Sequence, residues 1–181
     1  METIRGKTSL TMDSTELHAR LANYKRISLD LGTGDGKFAF CYAQNFPSHF
    51  FIGMDSCREN LREYSRADLP NLLYVIANAQ SLPHELHGQI SHITINFPWG
   101  SLLSSLLNGD SDFLCGLESA LGSGAKLEVR FAPAFLSFLP LSHAYEHTAG
   151  MFFPVSLGAQ IYYAERVETL RPQPTGRETR P

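Results

Sequence analysis

Apolar residues in this chain fall in short blocks set between longer amphipathic stretches. Ile27, Leu29 and Leu31 alternate with polar residues, while Phe50-Phe-Ile-Gly-Met54 and Leu72-Leu-Tyr-Val-Ile76 are almost continuously apolar. Blocks of this length predict strands buried on both faces. They place strands at Arg26–Leu31, Phe50–Met54, Leu72–Ile76, His92–Asn96 and Ala125–Phe131. The stretches between them predict helices near 36–46, 57–67 and 101–121, the last interrupted at Asn108-Gly109-Asp110. Ahead of this alternation, Gly6-Lys7 separates Thr3-Ile4-Arg5 from Thr8-Ser9-Leu10 and predicts a hairpin within residues 1–12. Asp13-Ser-Thr-Glu16 then reads as a helix N-terminus, with Asp13 accepting from an unpaired backbone N–H. Strand and helix in alternation give an α/β fold, a mostly parallel sheet with helices on both faces.

Ligands of such sheets bind beyond the carboxyl ends of the strands, so the turns after Leu31, Met54, Ile76 and Asn96 should share one rim. The first turn is Asp30-Leu-Gly32-Thr33-Gly34-Asp-Gly36-Lys37. Its G-x-G-x-G spacing differs from the dinucleotide pattern G-x-G-x-x-G, because Lys37 stands at the third glycine position. Asp30 would repel a phosphate there. S-adenosylmethionine has a sulfonium and an ammonium but no phosphate, so the turn favours it as cofactor. Asp55 follows the second strand about 20 residues past the glycines, where an acid accepts both ribose hydroxyls; a helix cap is the alternative. Asn78, Ala79 and Gln80 follow the third strand and are candidates for the adenine ring, against a plain loop. After the fourth strand come Asn96-Phe97-Pro98-Trp99-Gly100, with the one tryptophan of the chain. Pro98 stops the strand and turns the aromatics toward the rim, where they offer a flat substrate a stacking surface. Ser101 opens the next helix, whose N–H groups suit the methionine carboxylate.

With 181 residues and 43% hydrophobic composition, a single domain over 1–171 is expected, followed by a disordered Pro- and Thr-rich tail over 172–181. No apolar run is long enough to span a membrane and the first residues lack a signal peptide, which points to a cytoplasmic protein without a membrane partner. Cys41, Cys57 and Cys115 are scattered and read as buried thiols. Of seven histidines only His143 and His147 stand at i, i+4, with no further ligand in motif, so no metal site is expected. A hydrolase elbow G-x-S-x-G is absent. The net charge of −3 restricts any nucleic-acid contact to a local patch.

Taken with Arg5-Gly6-Lys7, Gly53-Met-Asp55, Glu59-Asn60, Leu69-Pro-Asn-Leu-Leu-Tyr74, Ser81-Leu-Pro83 and Phe97-Pro-Trp-Gly-Ser-Leu-Leu103, these residues give a chain that resembles the aminoglycoside-resistance rRNA methyltransferases acting on N1 of a decoding-site adenine. The resemblance covers about Ile4 to Arg130. It implies a Rossmann-like class I methyltransferase with an N-terminal β-hairpin and a shortened C-terminal region. By it, Asp30, Gly32, Thr33 and Gly34 hold the methionine end of S-adenosylmethionine, Asp55 the ribose, and Asn78, Ala79 and Gln80 the adenine. Phe97, Pro98 and Trp99 serve the transfer, with Trp99 stacked on the flipped base, and Arg5 and Lys7 meet rRNA of the small ribosomal subunit. The chain departs from the family pattern in its short Ser65–Leu69 segment, in Gln80 where an acid is common, and in lacking a second tryptophan after Trp99. Unprotonated adenine N1 carries its own lone pair, so transfer needs positioning more than a general base. Two other readings stay open: an exocyclic-amine or small-molecule methyltransferase, suggested by Asn96-Phe-Pro-Trp99, and a degenerate cofactor-binding homologue that no longer methylates.

Overall fold

The computed structural model describes residues 1–131 and, beyond them, the backbone of two strands. The chain divides into two units, Met1–Phe131 and Ala132–Pro181. In the first, β1 (Glu2–Arg5) and β2 (Thr8–Thr11) form the expected hairpin, followed by α1 (Ser14–Leu21). Asp13 caps α1 by accepting the Glu16 N–H at 2.8 Å. Then come β3 (Ile27–Leu31), α2 (Lys37–Asn45), β4 (Phe50–Asp55), β5 (Leu72–Ile76), β6 (Ile90–Asn96), α3 (Gly100–Asn108), α4 (Ser111–Ala120) and β7 (Leu121–Arg130). In the second unit, β8 (Ala134–Ser137) and β9 (Gln160–Tyr163) pair in parallel. The expected single domain over 1–171 and the expected disordered tail over 172–181 reach into residues outside those described, as do His143 and His147.

The strand order is β2-β1-β5-β4-β3-β6-β7. From β3 to β7 all neighbours are parallel, and β1 alone runs against the rest of this sheet, pairing antiparallel with both β2 and β5. The chain winds from β3 out to β5 and then crosses back to β6 on the other side of β3. This reversal opens a crevice at the carboxyl end of β3, the place where such sheets bind ligands.

Alternation along the strands sorts side chains to two faces. Leu29, Leu31, Phe50, Ile52, Met54, Leu73 and Val75 pack with α1, α3 and α4 through Leu17, Leu102 and Phe113. Phe51, Leu72 and Tyr74 pack on the other face with Ala39 and Ala43 of α2. Phe50 and Phe113 are fully buried, and burial of a side chain that size stabilises by about 1.5–3 kcal/mol. Asn71 closes the end of α2: its buried amide donates to the carbonyls of Ala43, Phe46 and His49 at 2.8, 3.2 and 2.9 Å.

Two expectations need correction. The helix expected over 57–67 is instead two single 3₁₀ turns, Asn60–Arg62 and Tyr64–Arg66. Only Leu61 and Ser65 are buried there, too little apolar surface to hold an α-helix on the sheet. The segment is tied to the hairpin instead, with the Gly6 N–H donating to Ser65 Oγ at 2.9 Å and Arg58 Nη2 to the Lys7 carbonyl at 3.1 Å. The cysteines are not all buried either: Cys41 and Cys57 are half-buried and Cys115 is exposed. The break expected near Gly109 is present, with Gly109 at φ 62° and Asp110 capping α4 through the Asp112 and Phe113 N–H groups.

Candidate functional site

Leu31 ends β3 against Met54 of β4, and the chain then turns away through three glycines at positive φ, Gly32, Gly34 and Gly36. Backbone hydrogen bonds fix the turn to the end of β4. The Gly32 and Thr33 N–H groups donate to the Met54 carbonyl at 2.9 and 3.0 Å, and the Gly34 N–H to Asp55 Oδ2 at 2.9 Å. Close neighbours explain two of the glycines. A Cβ on Gly32 would lie 2.7 Å from Leu102 of α3, and one on Gly36 only 2.4 Å from the Tyr74 ring. Gly34 has nothing within 4 Å of where a Cβ would be and lines the open crevice. Tyr74 is the residue that the sequence reading did not single out. Its ring also fills the space above Gly53, and its hydroxyl donates to the Gly36 carbonyl at 2.7 Å. Burial foremost, then the nearby Asp35 and Asp30 charges, push the phenol well above its ordinary pKa, so it stays a donor.

The crevice is a cavity of about 340 Å³, in the range of small-molecule sites. It brings together Gly32, Gly34, Asp55, Asn78, Ala79, Phe97, Pro98, Trp99 and Ser101 from four separate turns. Asp55 also accepts the Cys57 N–H through Oδ1 at 2.8 Å, so it braces the turn and the following chain while facing the cavity. Asn78 Oδ1 accepts the Gln80 N–H at 3.0 Å, which curls this loop over the cavity. No lysine or arginine lines the cavity among the described residues, and Asp55 is its one charged group. A phosphate would find no counter-charge there. A cationic, phosphate-free nucleoside fits that donor set and charge.

Five residues singled out in the sequence lie elsewhere. Asp30 is 5% exposed and does not line the cavity. Its Oδ2 accepts from Thr33 Oγ1 at 2.5 Å and its Oδ1 from Thr94 Oγ1 at 3.0 Å and Asn96 Nδ2 at 2.8 Å. It therefore acts on the cavity through the turn it supports and through its field. Burial raises its pKa, while these hydrogen bonds and the Arg130 charge pull it back. Thr33 is turned inward by the same bond. Gln80 sends its amide to Ser105 Oγ at 3.0 Å, onto α3. Arg5 pairs with Asp68 at 2.7 Å on the open surface, where such a pair contributes little. Because β1 runs antiparallel to β5, with Glu2 opposite Ile76, Arg5 and Lys7 are carried away from the cavity rim. They stand instead beside Arg58 and the stem of Arg66.

The aromatic loop is built differently. Phe97 is at φ 51°, a region that costs a residue with a Cβ roughly 1–2 kcal/mol. Phe97 and Trp99 are 65% and 62% exposed. The Phe97 N–H is held by the Arg130 carbonyl at 2.8 Å, and Trp99 precedes α3, whose first turn has no side-chain cap. The start of a helix leaves its first N–H groups without intrahelical partners, and Ser101 in this turn lines the cavity. Among the described residues, no three His, Cys, Asp or Glu side chains are grouped to hold a metal ion, and no helix is long and apolar enough to cross a membrane.

A Rossmann-like sheet with a glycine turn, a ribose-spaced acid and an aromatic loop on one rim defines the class I methyltransferase fold. Within that class the particular family follows from comparison with known proteins. A profile of the NpmA family, described as 16S rRNA (adenine(1408)-N(1))-methyltransferase, matches residues 2–146, and the chain belongs to this family. It is 34% identical over 136 residues to the Escherichia coli protein of that description, a match covering 71% of this chain and 60% of the relative. The crystal structure of the aminoglycoside resistance methyltransferase NpmB1 matches at TM-score 0.69 and 38% identity, over 71% of this chain and 66% of that one. A 16S rRNA (adenine(1408)-N(1))-methyltransferase from Catenulisporales acidiphilia, a tryptophan-to-alanine mutant solved with cosubstrate SAM, matches at TM-score 0.70 and 28% identity, over 74% of this chain and 69% of that one. The chain spans 58% to 63% of the length of the curated relatives it matches.

Proposed function

We propose that this protein is an S-adenosylmethionine-dependent methyltransferase that modifies N1 of an adenine in 16S rRNA. One observation carries the reading: Gly34, Asp55, Asn78 and the aromatic loop Phe97-Pro98-Trp99 line the same uncharged-to-acidic cavity. S-adenosylmethionine supplies an electrophilic methyl group. The chain's own residues do the rest by placement. Asp55 holds the ribose, Asn78 and Ala79 border the adenine, and the N–H groups at Ser101 receive the methionine carboxylate. Asp30 and the glycines set the turn under the methionine end. Phe97 and Trp99 give a base extruded from its helix a stacking surface that offsets part of its lost stacking and excludes water from the reacting face. Arg5 and Lys7, with Arg58 and Arg66 beside them, form the basic patch that faces RNA phosphate. A ribosomal substrate supports a cytoplasmic site of action.

The exocyclic-amine reading is weakened by Asn96. That chemistry needs the asparagine amide to grip an amino group, yet here its Nδ2 donates to Asp30 and its Oδ1 accepts from Arg130 Nη1 at 3.0 Å. The test is methyl transfer from labelled S-adenosylmethionine to intact small subunits, with mass mapping of the product nucleotide. Label on adenine N1 is the expected result. Label on an exocyclic amine supports the second reading, and calorimetric cofactor binding without transfer supports a degenerate homologue.

A further inference from the structure

Asp30, Asn96 and Arg130 lie across three adjacent strands, with Asp30 opposite Thr94 and Asn96 opposite Arg130 in the registers of β3, β6 and β7. Asp30 as carboxylate only accepts and Arg130 only donates, so the Asn96 amide between them has one satisfied orientation. Its Nδ2 faces Asp30 at 2.8 Å and its Oδ1 faces Arg130 at 3.0 Å. The guanidinium is fixed in turn by Glu128, at 2.9 Å from Nε and 2.7 Å from Nη2, and lies 5.9 Å above the Phe38 ring. The backbone of the same arginine accepts the N–H of Phe97 at 2.8 Å. Arg130 thus touches both halves of the site, the acid beneath the glycine turn through Asn96 and the aromatic loop through its carbonyl.

We propose that Arg130 is a positioning residue that keeps Asp30 ionised through Asn96 while anchoring Phe97, so that cofactor charge and acceptor loop are set by one side chain and its own backbone. The inference rests on the methyltransferase reading above. Burial favours the neutral form of Asp30; the hydrogen bonds from Thr33, Thr94 and Asn96 oppose it first, and Arg130, which holds Asn96 in place, adds the opposing positive charge. The other charged or titratable groups facing this cluster are Tyr74 of β5 and Asp35 of the turn, Glu128 and Lys126 of β7, and His92 of β6, which is 3.3 Å from Glu128. None of these replaces the arginine as a cation directed at Asp30. Loss of the positive charge should let Asp30 take up a proton at higher pH, removing the negative potential that a sulfonium and an ammonium require.

The experiment is calorimetric titration of the full chain with S-adenosylmethionine from acid to neutral pH, for the native protein, Arg130→Gln, Arg130→Lys and Asn96→Ala. Native affinity should rise with pH and level off. In Arg130→Gln and Asn96→Ala the rising limb should move up by about one pH unit, a Kd about tenfold weaker on the limb, with convergence near neutrality. Arg130→Lys, which keeps the charge, should stay near the native curve. Superimposable limbs, or a loss uniform across pH, overturn the proposal, the latter marking a purely structural role. If Arg130→Gln does not fold, the Asn96→Ala and Arg130→Lys curves decide in the same way. Absence of cofactor binding by the native chain at every pH instead overturns the methyltransferase reading, and this inference with it.

Discussion

Gly36 and Phe97 both stand at positive φ, 82° and 51°, one in each loop of the same cavity, and they reach that conformation by different routes. At Gly36 the missing side chain is a packing requirement, because the Tyr74 ring already occupies its place. At Phe97 a full aromatic side chain is held in the left-handed region and left 65% exposed. The glycine turn is over-determined by bonds to Met54, Asp55 and Tyr74, whereas the aromatic loop stands out from the rim, anchored at Arg130. A ligand small enough to be enclosed calls for a preformed cradle, while a macromolecular substrate that covers the site itself lets its contact residues remain exposed beforehand.

The strongest way to break this contrast is Gly36→Ala. The new Cβ would lie 2.4 Å from Tyr74 Cε1, at a φ alanine tolerates poorly. Steric overpacking and left-handed strain together should cost about 3 kcal/mol, a fall in Tm on the order of 10 °C. Cofactor binding should fall with it. A melting curve and a calorimetric titration check both, and an unchanged pair of values would mean that the turn is not a rigid element.

Asp55→Ala should come next. It leaves the Gly34 and Cys57 N–H groups without their acceptor, at a cost of about 1–2 kcal/mol in stability, and removes the proposed ribose contact. Asp55→Asn, which keeps one oxygen acceptor, should recover more stability than affinity. If both substitutions bind cofactor as the native chain does, Asp55 is a brace of the turn alone, the cap role that the sequence left open.

How much of this contrast was legible in advance depended on range along the chain. Buried parallel strands declare themselves as apolar blocks, and glycines at alternate positions after a strand mark a tight turn, so sheet, crevice and turn were readable. The aromatic loop was readable too, because Pro98 ends β6 locally. The segment 57–67 was not, since whether it winds as a helix depends on Ser65 and Arg58 meeting the hairpin, some 50 to 60 residues away. The partners of Asp30 were hidden for the same reason. Thr94 and Asn96 lie 64 and 66 positions along the chain, and only the strand order β4-β3-β6-β7 brings them and Arg130 to the acid. Tyr74 reads as an ordinary apolar strand residue until the neighbouring strand supplies a glycine for its ring.

Trp99→Ala sharpens the other half. Because Trp99 is 62% exposed, its replacement by alanine should change stability by less than about 0.5 kcal/mol and leave cofactor affinity untouched. Loss of one base-stacking platform is worth about 1–3 kcal/mol, so transfer to small subunits should fall roughly 10- to 100-fold. Parallel measurement of binding and transfer separates the two halves; native turnover in this variant would remove Trp99 from the acceptor site.

The smallest expected effect is the most direct inversion of the first. Phe97→Gly removes a side chain at a positive φ, relieving strain of roughly 1–2 kcal/mol, while the added freedom of glycine in the unfolded chain takes back about 0.4–1 kcal/mol. Little burial is lost from a residue so exposed, so Tm should stay where it is or rise slightly. Adding one methyl group to the cofactor turn would then destabilise the protein, whereas removing a whole benzyl group from the acceptor loop would not. Transfer should still decline, because the loop loses half of its aromatic surface. A clear drop in Tm would show instead that Phe97 is packed as structure, and that the strain at this residue is balanced by contacts within the protein rather than held for the substrate.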